Sequence, residues 1–316
     1  MASTAAANRQ ADYAASEPAV GLSRPPALMP VEIATLQPGQ RVDGLLACAR
    51  KAILDTRGGD TFLVAALRDG HGQIQARAFE QVHELAGQFE RGDVVHVRGR
   101  VITYRQELQI RLEHIARHAL TQATGFLPVS RRSVDELDGY LEHLVREVAH
   151  PGYTGLLESL LSDPSLRKAW RTAPCTCATH HAYLGGLLEH TVAVATLAVE
   201  TCSLHPRLNG DLLITAALVH DIGLIRSFTY RADIGESHAG RMLGHLELGI
   251  QILRVHAGRV QLAREDWLVL AHCVLAHHGP RSLLSREYAC AEALALQRIV
   301  ALDEGVKRAL ERGRMA

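Results

Sequence analysis

A chain of 316 residues is long enough for two domains with separate cores. Its 34 basic and 34 acidic residues cancel, which excludes a global basic field as the source of any nucleic-acid binding and leaves that role to a local patch. The compositional oddity is 18 histidines.

Residues 1–30, beginning MASTAAANRQADYAASEP, are rich in Ala, Ser and Pro with few large apolar groups, so a disordered tail is expected. It has no apolar h-region and no transmembrane run is evident farther along, which predicts a soluble, cytoplasmic protein with no membrane partner. From Val31 to His118 the pattern changes to short alternating runs. Arg41–Asp55, Thr61–Leu67, Ile74–Phe79, Val94–Val101 and Leu108–Leu112 predict strands, separated by turns such as RGGD, RDGHG and ERGD. Five short strands in so few residues predict a small closed barrel. The segments FLVAALRDGHGQIQARAFE and FERGDVVHVRGRVITYRQELQI resemble the OB fold of the anticodon-binding type. In such barrels a basic groove follows phosphates while aromatic rings stack on bases. The resemblance nominates Arg50, Lys51, Arg77, Arg100, Tyr104 and Arg105 as nucleic-acid-binding residues. Phe62 and Phe79 join them or, by strand alternation, fill the barrel core.

A linker over 119–132, containing LPVSRRS, separates this domain from residues 133–316, whose apolar spacing is helical throughout and predicts an all-α bundle. The six cysteines lack paired CxxC spacing and read as reduced thiols. The run LLITAALVHDIG, Leu212 to Gly223, is apolar on every side and predicts a buried helix. It ends in adjacent His220 and Asp221, which can share one ion only where the backbone opens at a helix end, and Gly223 is placed to terminate it. His190, His245, His277 and His278 occupy other apolar helical stretches. Imidazoles with a carboxylate suit Zn, Mn, Fe, Co or Ni better than Ca.

The segments HHAYLGGLLEHT, HDIG, GRMLGHLELG and LAHHG, in that order, resemble the HD phosphohydrolase superfamily, and their wording is similar to the YhaM-type 3′–5′ exoribonucleases, in which an OB domain precedes an HD domain. The resemblance implies catalysis at His220 and Asp221 with one or two divalent ions, Mn foremost and Co, Fe, Ni, Zn or Mg as alternatives. It implies that Asp221 bridges, that His190 and His220 hold the first ion, and that His245, His277 and His278 hold the second. The chain departs from the family pattern in three places. Leu224 stands where many relatives have Lys; Gln297 and Val300 stand at the His and first Asp of the last-helix motif, leaving Asp303; and PRSLLSRE follows LAHHG. Asp303, one helical turn beyond Val300, is therefore the expected replacement ligand for the first ion. Three functions follow: a metal-dependent exoribonuclease acting on single-stranded RNA or DNA delivered by the barrel, an HD-type nucleotide phosphohydrolase, or a nucleic-acid-binding protein with an impaired HD domain. Homo-oligomerisation is compatible with each.

Overall fold

The computed structural model describes residues 28–56, 58–119, 124–230, 233–280 and 287–312. Nearly all of the expected tail, part of the linker and most of PRSLLSRE lie outside them. Residues 28–30, assigned to the tail on sequence, run beside the first strand, where Leu45 N–H donates to Met29 O at 2.9 Å.

Five strands close into a barrel: β1 (Arg41–Asp55), β2 (Thr61–Arg68), β3 (Gln73–Ala78), β4 (Val94–Tyr104) and β5 (Glu107–Arg117), in the order β1-β2-β3-β5-β4. Alternation supplies the core, as on β2, where Leu63, Ala65 and Leu67 are fully buried between outward neighbours. The long β1 pairs with β4 through its first half and with β2 through its second, and an irregularity between Cys48 and Arg50 lets it turn from one to the other. β4 runs beyond its predicted end into a two-residue hairpin, Tyr104 facing Glu107, and β5 continues past its predicted end to Arg117, which pairs with Val95. The turn residues Arg105 and Gln106 have φ of 51° and 68°, as a type I′ turn requires, but neither is the Gly or Asn that would announce it. A short helix, α1 (Val82–Gly87), caps the barrel between β3 and β4.

The second domain contains α2 (Val134–Arg146), α3 (Pro151–Leu161), α4 (Pro164–Thr172), α5 (Gly186–Leu204), α6 (Gly210–Val219), α7 (His238–Arg259), α8 (Arg264–Ala276) and α9 (Ala291–Arg312). The all-α expectation needs one amendment, a small hairpin of β6 (Phe228–Tyr230) and β7 (Ile234–Glu236) between α6 and α7. Helix starts follow sequence: Ser133, Asp163, Asn209 and Ser237 cap through side-chain oxygens, and Pro151 and Pro164 open their helices. All residues of α6 from Leu212 to Val219 are buried, as an all-round apolar helix demands. Helix α5 is long and apolar enough to cross a bilayer by composition, yet α2, α6 and α9 pack on it and it carries His190 into the core.

Candidate metal centre and nucleic-acid interface

Helix α6 ends at Val219, so His220 and Asp221 emerge where the backbone leaves the helix and can turn to one centre. Gly223 does not terminate the helix in a left-handed conformation as expected. It lies in a 3-10 turn, Ile222–Arg226, pressed against α7, where a Cβ would come within 1.9 Å of His245 O and 2.5 Å of Gly249 N. Glycine is required there by close approach. Gly244, with φ 72°, kinks α7 immediately before His245 and sets that side chain towards the centre. His277 caps the C-terminal end of α8, just past Ala276, and His278 follows it.

Around Asp221 the two carboxylate oxygens divide the histidines. Oδ2 lies 3.8 Å from His190 Nε2 and 3.5 Å from His220 Nε2, whereas Oδ1 lies 3.4 Å from His245 Nε2 and 3.3 Å from His277 Nε2. Nitrogen meets nitrogen within each group: His190 Nε2 is 3.2 Å from His220 Nε2, and His245 Nε2 is 3.1 Å from His278 Nε2. His220 and His277 each direct Nδ1 to a backbone carbonyl, Ala217 O at 2.8 Å and Val274 O at 2.7 Å, which fixes Nδ1 as the protonated nitrogen and turns the Nε2 lone pair inward. Asp221 Oδ1 and His277 Nε2 are buried without a hydrogen-bond partner, a costly state for a protein interior that a cation between them would relieve. Burial pulls His220 down to about 3, and burial with His277 pulls His278 to about 4. Burial alone would raise Asp221, but His220, His277 and His245 outweigh it and hold the carboxyl well below its ordinary value. Neutral imidazoles around an ionised carboxylate are the protonation states that ligate metals. Asp221 with His245, His277 and His278 can hold one ion, and His190 with His220 and Asp221 a second.

Asp303 comes to the centre from α9, but on the other side of His190: its Oδ2 lies 2.6 Å from His190 Nδ1 and 3.0 Å from His181 Nε2. His190 thus faces His220 and Asp221 with one nitrogen and a carboxylate with the other, the arrangement that orients a ligating imidazole and raises its basicity. Val300 is 2% exposed and belongs to the apolar core. The contacts continue outward, with His181 Nδ1 2.9 Å from the Tyr183 hydroxyl, which donates to Glu189 at 3.0 Å; Ser130 and Lys307 also donate to Glu189. Sequence reading missed His181 because it lies in an irregular segment, at φ 47°, rather than on an apolar helix. The HH pair at 180–181 was the available signal. A cavity of about 480 Å³ opens on the centre, lined in part by Thr179, His180, Leu224, Phe228, His245 and Glu304.

On the barrel, the outward residues of β2 and β3 carry a different chemistry. Phe62 and Phe79 stack with ring centroids 5.5 Å apart, and Phe79 is 53% exposed, so these rings are surface and not core. The Arg77 guanidinium lies 5.8 Å from the Phe62 ring and 5.3 Å from that of Tyr104, with Arg105 5.4 Å from Tyr104. Arg50 and Arg100 are exposed. Lys51, nominated for the groove, is engaged within the protein: its ammonium donates to Ala86 O at 3.0 Å and Phe89 O at 2.7 Å and pairs with Glu90 at 2.9 Å, which ties β1 to the end of α1.

Residues 49–116 match the model of the OB-fold nucleic acid binding domain, and residues 187–304 that of the HD domain. The chain is 27% identical over 244 residues to the 3′–5′ exoribonuclease YhaM of Oceanobacillus iheyensis, covering 76% of each chain. Among solved structures, it is similar to the second OB-fold domain of replication protein A from Methanococcus maripaludis (18% identity, 28% of this chain, 97% of that one, TM-score 0.23). It is also similar to a small single-stranded DNA-binding protein from Streptomyces coelicolor (19%, 26%, 95%, TM-score 0.23). Both scores are too low to add to the fold or the function.

Proposed function

We propose, from its place among the YhaM-type proteins that join an OB-fold nucleic acid binding domain to an HD domain, that this chain is a metal-dependent 3′–5′ exoribonuclease acting on single strands. The observation that carries the reading is Asp221, whose two oxygens each face a separate set of imidazoles. Divalent ions held there, with manganese the first to test, supply an activated water and neutralise charge on the phosphoryl group. Asp221 and the five histidines hold and orient; no side chain need act as a covalent nucleophile. Asp303 serves as a positioning residue behind His190. Leu224, 6% exposed, stands where the resemblance expects a Lys and itself brings no cation to the cavity. The aromatic and arginine side chains of the barrel capture the strand by stacking and phosphate contact. A cytoplasmic location is part of the reading, supported by six cysteines that are all free thiols.

A 5′-labelled single-stranded oligoribonucleotide incubated with manganese tests it. Products that shorten stepwise while keeping the label are expected, and chelation should stop them. Immediate release of labelled mononucleotide, or hydrolysis indifferent to metal, would contradict the proposal. The nucleotide phosphohydrolase alternative predicts turnover of free nucleotides with intact strands left untouched.

A further inference from the structure

Strand register brings four arginines side by side around the barrel. Arg77 on β3 faces Arg111 on β5, Arg111 faces Arg100 on β4, and Arg100 faces Arg41 on β1. Paired residues share a face of the sheet, and chain neighbours Val42, Val101, Ile110, Leu112 and Ala76 are buried inside. The guanidinium groups therefore lie outside; Arg41, Arg100 and Arg111 are exposed and Arg77 is half-buried. Like charges directly opposite one another weaken strand pairing. Three such pairs in succession are not an arrangement that folding alone favours.

Acidic neutralisation of the row is slight. Its one ion pair among the described residues is Arg41 with Glu113 at 4.0 Å, between side chains 77% and 55% exposed. Arg100 donates to Gly39 O at 3.4 Å and Arg77 to Gln75 Oε1 at 3.2 Å, both uncharged acceptors. A register shift at Arg98/Gly99 sets Arg98 opposite His114, so that Glu113 drops out of the ladder and Arg111 faces Arg100. That shift depends on glycine, because a Cβ at Gly99 would meet Arg111 O at 2.3 Å. At its β3 end the row runs into the rings of Phe62 and Tyr104, between which Arg77 sits.

We propose that Arg41, Arg100 and Arg111 form a phosphate track that carries a nucleic-acid strand from the aromatic platform around the barrel to β1. From Arg77 at the platform to Arg41 the row spans three interstrand steps, about 14 Å, and the track grips backbone without reading sequence. It rests on the reading of the chain as a single-strand exoribonuclease. A single strand is the occupant, and not a duplex or an acidic protein, because the track continues from rings that only unpaired bases can stack on.

The test uses the metal-loaded full-length chain and a phosphorothioate-linked single-stranded oligoribonucleotide, with affinity measured against salt concentration. Arg41→Gln with Arg111→Gln should weaken binding roughly tenfold and make the log–log salt slope shallower by about 1.4, two contacts at about 0.7 each. Arg41→Lys with Arg111→Lys should keep the wild-type slope, since charge is what the slope counts. Wild-type affinity and slope in the Gln pair, with Phe79→Ala weakened, would overturn the track and leave single-strand binding intact. No binding by the wild-type chain would overturn both.

Discussion

Asp221 is the residue on which the centre turns, and its environment explains why the histidines were legible in sequence. His190, His220, His245 and His277 sit on or at the ends of apolar helices, where an imidazole without a partner is conspicuous. Asp303 was found from the sequence, but spacing along α9 cannot reveal that its carboxylate meets His190 Nδ1 and His181 Nε2. As a positioning residue it carries a defined prediction: Asp303→Asn should lower metal affinity and turnover by roughly 10–100-fold, the usual penalty for losing the partner of a ligating histidine. Metal titration of the purified variant checks this, and wild-type affinity would remove Asp303 from the account. His181 touches the same carboxylate from a loop, beyond the reach of any periodicity argument.

At the scale of elements, the link between α6 and α7 positions two of the ligands through the contact of Gly223 with His245 and Gly249. Gly223→Ala places a methyl inside backbone van der Waals contact, and overpacking of this kind costs about 1–3 kcal/mol. The melting temperature should fall and metal binding should weaken with it; an unchanged melt would show that the turn is looser than described. Barrel strands were readable from alternation, whereas the β4–β5 hairpin was not, since Arg105 and Gln106 adopt positive φ without the residues that signal it. Lys51 illustrates the limit of charge as a signal. Its ammonium ties β1 to α1 through two carbonyls, so Lys51→Ala should cost about 1–3 kcal/mol of barrel stability. The salt dependence of RNA binding should stay as it is in that variant, and a shallower slope would return Lys51 to the groove.

The whole molecule joins an OB-fold barrel to an HD bundle, and the proposed function gives capture to the first and hydrolysis to the second. Balanced overall charge conceals the arginine row of the barrel, because its members gather only when strand register is known. Division of labour predicts that deleting residues 1–118 weakens binding of long single strands while a small chromogenic phosphodiester is still hydrolysed. A truncated chain that degraded long strands as well as the full one would separate the barrel from the mechanism.

Asp221 and the two histidine sets that face its separate oxygens would hold up to two divalent ions, and metal content measures this most directly. The wild-type chain should carry close to two divalent ions, His190→Ala should keep the ion held with His245, His277 and His278, and Asp221→Ala should lose both together with all hydrolysis. Full metal content and activity in Asp221→Ala would contradict the account.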